Sequence, residues 1–262
     1  HIDLSEPHQE AWNYLKPFAE QYDAGIVTLE QYKRDVDIPQ YLFRPCIDPF
    51  KLKNRHLSSA QIDERLAQYD IPTDKPILTQ ISRFDKWKDP IGVIEAFQKI
   101  RQEVDATLVL LGNVATDDPE GVEVYEEVSQ HADEDIFIIS QHDEVLVNAL
   151  QTRSAAVFQK SLREGFGLTV TEAMWKGTPV IGGDVGGISL QINDGENGFL
   201  VSSVDEAAEA AIKLLGDEEM RQQMGKKAQE RVRKNFLTPH LLENYLDLFL
   251  SAEASYTVPP QA

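Results

Sequence analysis

Six short, mainly apolar runs recur along the chain from about residue 76, and segments with helical periodicity separate them. The runs are Ile77–Ser82, Thr107–Leu111, Ile136–Ile139, Ala155–Gln159, Pro179–Gly182 and Gly198–Val201. Apolar residues at consecutive positions, rather than at alternate ones, are typical of parallel strands covered on both faces. Strands that alternate with helices predict an α/β fold on a doubly wound parallel sheet. Because such a sheet binds ligands at the carboxyl ends of its strands, the residues that follow each run are the functional candidates.

The segment before this alternating region is predicted to contain one helix and two strands. Residues 5–22 have the apolar spacing of an amphipathic helix. Ala24–Leu29 and Tyr41–Arg44 are predicted strands, and Pro45–Lys53 is interpreted as a connector. The chain begins at His1 without a signal-like segment, so we expect it to be part of a longer polypeptide.

Three helices are predicted at the end of the chain, at about 204–215, 217–234 and 237–251. The last of them has one apolar face, formed by Leu241, Leu242, Tyr245 and Leu248. That face could pack against its own domain, or it could pair with a second copy of the chain in a homodimer.

The composition excludes two classes of partner. A net charge of −19 argues against nucleic acid and against anionic membranes. No apolar run approaches the ~20 residues that a membrane-spanning helix needs. The only cysteine, Cys46, excludes an internal disulfide framework and favours a reducing, cytoplasmic location. A ligand that carries phosphate would also need cations supplied locally, because the chain as a whole repels it.

Two cations follow the first run of the alternating region, Arg83 and Lys88. Arginine presents a planar fork of donors to phosphate oxygens, and lysine a mobile point charge. Both could neutralise a diphosphate, including one that departs with its negative charge. The alternative is an exposed loop with ordinary cations, which is our interpretation of Lys86.

The stretch from Glu164 to Glu172 reads E-G-F-G-L-T-V-T-E and follows the fourth run directly. Its glycines let the backbone approach a ligand closely, and the free N–H groups that open the next helix can hold phosphate. Each carboxylate can accept hydroxyl donors from a sugar ring. The pattern predicts a site for an anionic, hydroxyl-rich ligand such as a sugar nucleotide. The alternative is two solvated carboxylates at the end of a helix.

Other strand ends provide weaker candidates. Gly112–Asn113 permits close approach of a ligand or is a simple turn, and Ser140–Gln141–His142 could form a rim for a base. His142 alone is more typical of an exposed loop. Gly186–Gly187 is interpreted as a second approach point beside the same cleft. The turn 194–198 is assigned no ligand role, and no residue cluster has the spacing of metal ligands.

Together these residues resemble the C-terminal half of a retaining glycosyltransferase of family 4, whose two Rossmann-like domains flank a cleft (the GT-B architecture). The resemblance implies that Arg83 and Lys88 bind the donor diphosphate. It also implies that Glu164 and Glu172 form the E-x7-E signature, with the first on the donor sugar and the second on the ribose. Glu164 is a sugar-positioning group rather than a nucleophile. Arg83, Lys88 and Glu164 are thus the implied catalytic residues, and the implied donor-binding residues are Gly112, Asn113, Gln141, Gly165, Phe166, Gly167, Leu168, Thr169, Glu172, Gly186 and Gly187.

Several departures from the general family pattern resemble its trehalose synthase branch. The usual E-A-M-A becomes E-A-M-W at Trp175, and the usual G-G-x-P-E becomes G-G-I-S-L at Gly186–Leu190. Further stretches that resemble the branch are 1–5, 47–49, 82–88 and 117–121. The resemblance divides the chain into an N-terminal domain remnant (1–56), a nucleotide-sugar-binding domain (57–236) and a C-terminal helix and tail (237–262).

The reaction that this branch implies is transfer of glucose from a nucleotide-diphosphate-glucose donor to free glucose, giving trehalose with retention. The base is left open among ADP-, UDP- and GDP-glucose. No tightly bound cofactor is implied, although Mg²⁺ could stimulate the reaction. Because the acceptor domain is largely absent, we expect this chain to bind the donor but to transfer little by itself.

Three alternatives remain open at this stage. The first is another family 4 enzyme that forms sucrose or a glucan. The second is a non-catalytic module that binds nucleotide sugars. The third is a nucleotide-sugar epimerase with the same two-domain architecture, although its acid–base chemistry needs a second set of carboxylates and histidines that the sequence lacks.

Overall fold

The computed structural model describes residues 8–113 and 119–255, so the stretch 1–5 and residues 117–118 of the predicted signature lie outside the described residues. The described part contains ten α-helices and eight strands. The helices are α1 Gln9–Ala19, α2 Ser59–Ala67, α3 Pro90–Ile100, α4 Pro119–Ser129, α5 Glu144–Arg153, α6 Leu168–Trp175, α7 Gly186–Gln191, α8 Val204–Gly216, α9 Glu218–Asn235 and α10 Thr238–Ser255. The strands are β1 Gly25–Val27, β2 Gln40–Leu42, β3 Ile77–Ile81, β4 Thr107–Gly112, β5 Ile136–Ser140, β6 Ala156–Gln159, β7 Val180–Gly183 and β8 Gly198–Val201.

The predicted α/β fold is confirmed. The six apolar runs form one parallel sheet in the order β5-β4-β3-β6-β7-β8. Each strand lies within one residue of its predicted position at either end. Adjacent residues on a strand serve opposite layers, which explains why the runs are apolar throughout. Leu78 belongs to the cluster of α3 and α8, whereas Ile77 belongs to the cluster of α2 and α5. Val157 and Val180 face α6 and α9.

The strand order places a topological switch point between β3 and β6. From β3 the chain continues to β4 on one side, and β6 lies on the other side. The connections that leave the carboxyl ends of β3 and β6 therefore diverge, and a crevice opens between them. Arg83 and Lys88 follow β3, and Glu164 follows β6, so both predicted signatures border this crevice.

The N-terminal segment has its own two-stranded parallel sheet, in which Gly25 pairs with Gln40. Its strands have three residues each and are shorter than predicted, because the flanking residues turn away into a short 3-10 helix at Glu30–Tyr32 and into the connector. Helix α1 has no buried residue in the described part of the chain. This segment thus adds little core of its own, as its sequence indicates.

The connector meets the start of the last helix. The N–H group of Ile47 donates to the carbonyl oxygen of Phe236 at 2.9 Å, and the N–H group of Thr238 donates to that of Ile47 at 3.2 Å. Helix α10 then reaches the N-terminal segment, where Tyr245 packs edge-on against Phe43 with ring centroids 5.0 Å apart. The domain boundaries at 56/57 and 236/237 stay predictions.

Candidate active site

A cleft of about 360 Å³ lies at the carboxyl ends of β3, β4 and β5. It brings together six residues that the sequence predicts as functional, from four separate segments of the chain: Arg83, Gly112, Asn113, Gln141, Thr169 and Glu172. Its other lining residues are Lys53, Ile81, Ser82, Leu111, His142, Asp143, Glu144 and Val147. Arg83 and Glu172 of the predicted signatures therefore line this cleft, whereas Lys88 and Glu164 are not among its lining residues.

Lys88 and Glu164 meet across the switch point. The Lys88 ammonium lies 2.6 Å from Oε2 of Glu164, and both side chains are largely buried. The same carboxylate oxygen accepts from Nε2 of Gln159 at 3.2 Å and from Oγ of Ser161 at 3.4 Å. A carboxylate with several donors is held in one orientation, which suits a group that positions a sugar hydroxyl.

The turn that carries Lys88 is organised from within. The Asp85 carboxylate accepts from the N–H groups of Trp87 and Lys88 at 2.9 and 3.1 Å and caps a short 3-10 helix. The buried Gln80 side chain of β3 donates to the Lys88 carbonyl oxygen at 2.7 Å. These bonds fix the backbone of the turn at Lys88. From this position the Lys88 side chain extends to Glu164.

Further contacts join this turn to the loop after β6. The N–H group of Leu162 donates to the Trp87 carbonyl oxygen at 2.8 Å. The buried Lys160 ammonium contacts the carboxylate of Asp89, which also caps α3 through the Gly92 N–H group. The two sides of the crevice are thus one connected unit.

Arg83 is the exposed cation of the site. Its guanidinium lies 3.1 Å from Asp85, but its side chain is 66% exposed. Its partner Asp85 is buried, but a mostly exposed guanidinium can present its remaining donors to an anionic ligand. This position fits the predicted role on a diphosphate.

Helix α6 begins at the crevice with unpaired donors. Gly167 occupies its N-cap with φ 82°, and no side chain caps this helix in the described structure. The first N–H groups of such a helix, here those of Leu168 and Thr169, are free to bind an anion. Glu172 lies one turn further, is only 4% exposed, and borders the cleft.

The comparison with protein families decides the identity of this arrangement. The family described as glycosyl transferases group 1 matches residues 61–231. The chain belongs to this family. The matched range contains every predicted site residue of the chain.

A curated relative within the family is the trehalose synthase of Thermococcus litoralis, which is 44% identical over 260 residues. The match covers 96% of this chain and 63% of the relative, so the chain spans less than two thirds of the length of that enzyme. Among solved structures, the sucrose-phosphate synthase of Thermosynechococcus elongatus has a TM-score of 0.79 and 25% identity, with 97% of this chain and 64% of that chain covered.

A second solved structure, Anabaena HepE in complex with UDP and glucose, has a TM-score of 0.82 at 18% identity. The superposition covers 95% of this chain and 70% of that chain. At this identity the likeness supports the fold alone. It agrees with the GT-B architecture that the sequence resemblance implies.

Several glycines of the candidate site are required by packing. A Cβ atom on Gly187 would lie 2.4 Å from the Cα atom of Phe166, and one on Gly186 would lie 1.8 Å from the carbonyl oxygen of Glu164. A Cβ atom on Gly112 would lie 2.1 Å from the carbonyl oxygen of Ser82. In the structure, Gly186–Gly187 starts α7 and packs closely against the Glu164 loop. Contact of these glycines with a donor stays a prediction.

Gly165 and Phe166 are buried, so they can act on a ligand only through their backbone. The Phe166 ring packs on Phe236 with centroids 5.8 Å apart, inside the core. Asn113 and Gln141 are exposed at the rim, where the Asn113 amide can donate to the Gln141 carbonyl oxygen at 2.9 Å. The predicted donor-binding roles of these residues remain predictions.

Sequence reasoning missed several polar residues that the structure places at the site. Lys160 and Ser161 follow β6 directly, so the rule that found Arg83 after β3 could have found them. Lys53 could not be found in this way, because it follows no strand of the main sheet. Asp143 lines the cleft, but its carboxylate is occupied as the cap of α5 and as the acceptor of Tyr69.

The end of the cleft near Glu172 is crowded with charge. The Lys53 ammonium lies 2.5 Å from Oε1 of Glu172. Lys176, one turn along α6, donates to the Glu172 carbonyl oxygen at 3.2 Å. The pKa of Lys176 is lowered to about 7, mainly by burial; the Glu172 carboxylate opposes this shift, and the nearby Lys53 charge adds to it.

Two properties of the described residues bear on membranes and metals. Within 8–113 and 119–255, no helix is long and apolar enough to cross a membrane. In the same ranges, no group of three or more His, Cys, Asp or Glu side chains is arranged to hold a metal ion. Stimulation by Mg²⁺ stays a prediction.

Proposed function

We propose that the protein transfers glucose from a nucleotide-diphosphate-glucose donor to glucose and forms trehalose with retention at the anomeric carbon. The observation that carries this proposal is the convergence of Arg83, Lys88, Glu164 and the start of α6 at one switch point. The similarity to trehalose synthases supports the choice of product. The nucleotide and the glucose that HepE holds support a nucleotide-sugar donor.

Different residues of the site bind different parts of the donor. Arg83 and Lys88 bind the diphosphate together with the N–H groups of Leu168 and Thr169. These fixed charges and dipoles stabilise the negative charge that develops on the departing diphosphate. Glu164 positions the sugar, and Glu172 binds the ribose.

Lys88 has a double position in this scheme. In the free protein it neutralises Glu164, so an arriving diphosphate competes for its ammonium group. The phosphate oxygens then take the Lys88 charge, and Glu164 becomes available to the hydroxyl groups of the sugar. This exchange couples binding of the diphosphate to positioning of the sugar.

We assign acceptor binding, and with it full activity, to the part of the relatives that has no counterpart in this chain. The chain by itself is then a donor-binding unit that transfers little. Every residue assigned to the donor lies within 61–231, the range that matches the family. The proposed donor site is therefore contained in this chain.

The test of the donor site is calorimetric titration of this chain with ADP, UDP and GDP. Micromolar binding of one nucleotide, weakened at least tenfold by Glu172→Ala, would support the site and identify the base. Absence of binding to any nucleotide by the folded chain would contradict it.

The test of catalysis uses the complete enzyme and compares two cations of one turn. Arg83→Ala should reduce transfer more than tenfold, because a charge on the diphosphate is lost. Lys86→Ala is the matched control, since the Lys86 ammonium is exposed and pairs with Glu120 at 3.1 Å. Equal activity of both variants would remove Arg83 from the diphosphate site.

A product assay separates this function from that of a sucrose-forming relative. The similarity to a sucrose-phosphate synthase structure makes this the natural competitor. With one donor and parallel reactions on glucose and on a fructose-derived acceptor, we expect a disaccharide only from glucose. A product from the fructose-derived acceptor alone would overturn the assignment.

A further inference from the structure

The loop 48–55 contains no regular helix or strand, yet its backbone is held firmly. Asn148 of α5 is buried, and its Nδ2 atom donates to the carbonyl oxygens of Leu52 and Arg55, both at 2.8 Å. These two carbonyl groups flank Lys53 on either side. A single buried amide therefore defines the path of the backbone around that lysine.

Helix α6 holds the same loop from the other direction. Nε1 of Trp175 donates to the carbonyl oxygen of Asn54 at 3.1 Å. The Asn54 side chain is buried and donates to the Asp48 carbonyl oxygen at 2.9 Å. Trp175 replaces the alanine of the common E-A-M-A pattern, and its indole N–H is a donor that alanine lacks. The residue that departs from the pattern thus anchors the loop that carries Lys53.

The held loop directs one cation into the cleft. Lys53 and Glu172 both line it, and their charged atoms are 2.5 Å apart. The Lys53 side chain is 33% exposed, and among the described residues its ammonium forms an ion pair with Glu172 alone, without the geometry of a hydrogen bond. An ammonium group has three N–H donors, so donors remain for a ligand beside Glu172.

Stability does not account for this pair. Partly exposed ion pairs contribute about 0–1 kcal/mol. The carboxylate of Glu172 is nevertheless buried, and Lys176 is buried close by with a pKa lowered to about 7. Several charged groups that lie close together in a cleft and are partly desolvated are typical of binding sites.

We propose that Lys53 is a donor-binding residue that works with Glu172 to recognise the vicinal hydroxyl groups of the donor's ribose, and that Trp175 is its positioning residue. This inference rests on the proposed function. Each ribose hydroxyl can donate to the Glu172 carboxylate and accept from the Lys53 ammonium at the same time. The pair therefore matches a vicinal diol and disfavours a 2′-deoxyribose.

The experiment is calorimetric titration of this chain with the nucleoside diphosphate that binds best and with its 2′-deoxy counterpart. The wild type should bind the ribose form at least tenfold more tightly. Lys53→Met should weaken the ribose form at least tenfold and the deoxy form less than threefold. Lys53→Arg should recover most of the discrimination, and Trp175→Phe, which keeps an aromatic ring but loses the N–H donor, should reduce discrimination about threefold.

Lys51→Met is the matched control, because Lys51 is an exposed cation of the same loop and does not line the cleft. It should behave as the wild type. Lys53→Met leaves a buried carboxylate without its partner, so the double variant Lys53→Met with Glu172→Gln guards against misfolding. Of the two single variants, one will bind the ribose form more weakly. The double variant should bind that form at most about twofold more weakly than this single variant.

The possible results distinguish a failure of the Lys53 proposal from a failure of the proposed donor-binding function. Wild-type binding that Glu172→Ala weakens, with unchanged discrimination in Lys53→Met, overturns the role of Lys53 and leaves the donor site in place. Absence of binding to the wild type overturns both. Weakening of the ribose and deoxy forms by the same factor would make Lys53 a structural residue and also overturn the inference.

Discussion

Single residues at this site are arranged as four cation–carboxylate pairs. Lys53 pairs with Glu172, Arg83 with Asp85, Lys88 with Glu164, and Lys160 with Asp89. In a chain of net charge −19, each cation thus has an assigned partner at the cleft. The partners differ in burial, so the pairs differ in how readily they exchange. Arg83 is mostly exposed although its partner Asp85 is buried, whereas the Lys160–Asp89 contact is more buried on the cation side and joins two loops.

At Gly187 a methyl group should disrupt the site. The added Cβ atom of Gly187→Ala would lie 2.4 Å from the Phe166 Cα atom, and backbone cannot rotate away as a side chain can. We expect the free energy of unfolding to fall by about 1–3 kcal/mol, the usual cost of overpacking. Urea unfolding measures this. Gly216→Ala is the control, with no atom within 4 Å, and should change stability by less than about 0.5 kcal/mol. Equal effects would show that the Glu164 loop can shift.

Lys176 should make stability depend on pH. Its pKa is about 7 in the folded chain, against an ordinary value of 10.5. Between these values the unfolded chain binds more protons, so the free energy of unfolding rises with pH. In Lys176→Met this contribution is absent, and the rise from pH 7 to pH 10 should be about 1–3 kcal/mol smaller than in the wild type. Urea unfolding across this range measures it, with Lys227→Met on the exposed face of α9 as control. Parallel curves for wild type and Lys176→Met would contradict the burial effect.

Elements show clearly how far the sequence could be interpreted. The six strands of the main sheet are predictable because both faces are buried and each run is apolar on its own. Helix α7 is not predictable, because its six residues are too few for a periodic pattern and begin with two glycines, which are poor helix formers.

The apolar face predicted for α10 is largely turned inward: Leu241, Tyr245 and Leu248 are half-buried, while Leu242 is exposed. The homodimer stays a prediction.

The loop 48–55 should depend on α5 for its order. In Asn148→Ala the carbonyl groups of Leu52 and Arg55 lose their only side-chain donor in the described structure. We expect hydrogen exchange of residues 50–56 to accelerate at least tenfold, because the loop can open locally without unfolding the sheet. Hydrogen–deuterium exchange with mass spectrometry measures this. Ser129→Ala is the control, since that hydroxyl donates to the Tyr125 carbonyl oxygen within α4 and not to Asn148 or the loop. Unchanged exchange of the loop would show that α6 alone holds it.

The whole molecule combines strong self-repulsion with uncovered apolar surface. It carries 44 acidic against 25 basic residues. Large apolar side chains are exposed on α1 and α10, among them Tyr14, Leu15, Phe18, Leu246, Phe249 and Leu250. The chain also spans only 63% of the Thermococcus litoralis relative. Like charge keeps such a molecule apart from its copies but destabilises its compact state.

Salt should therefore stabilise this chain. Raising NaCl from about 10 mM to about 300 mM shortens the Debye length from about 30 Å to about 6 Å and screens the self-repulsion. We expect Tm to rise by about 3–6 °C and then to level off, as measured by scanning calorimetry of a dilute sample. Substitution of KCl for NaCl should give the same curve, since screening depends on ionic strength. A fall of Tm with salt would mean that the ion pairs outweigh the net repulsion.

The amino-acid sequence was sufficient to predict the parallel sheet and the order of its elements, and it proposed four charged residues for the candidate site: Arg83, Lys88, Glu164 and Glu172. This was possible because burial on both faces and position after a strand are local properties of the chain. The partners of those charges and the place of Lys53 in the cleft became visible in the folded chain alone. Lys53 and Glu172 are separated by 119 positions, and the contact depends on Asn148 and Trp175 holding a loop without periodicity. Local pattern cannot encode such a contact, since its geometry comes from the packing of α5 and α6 against the connector.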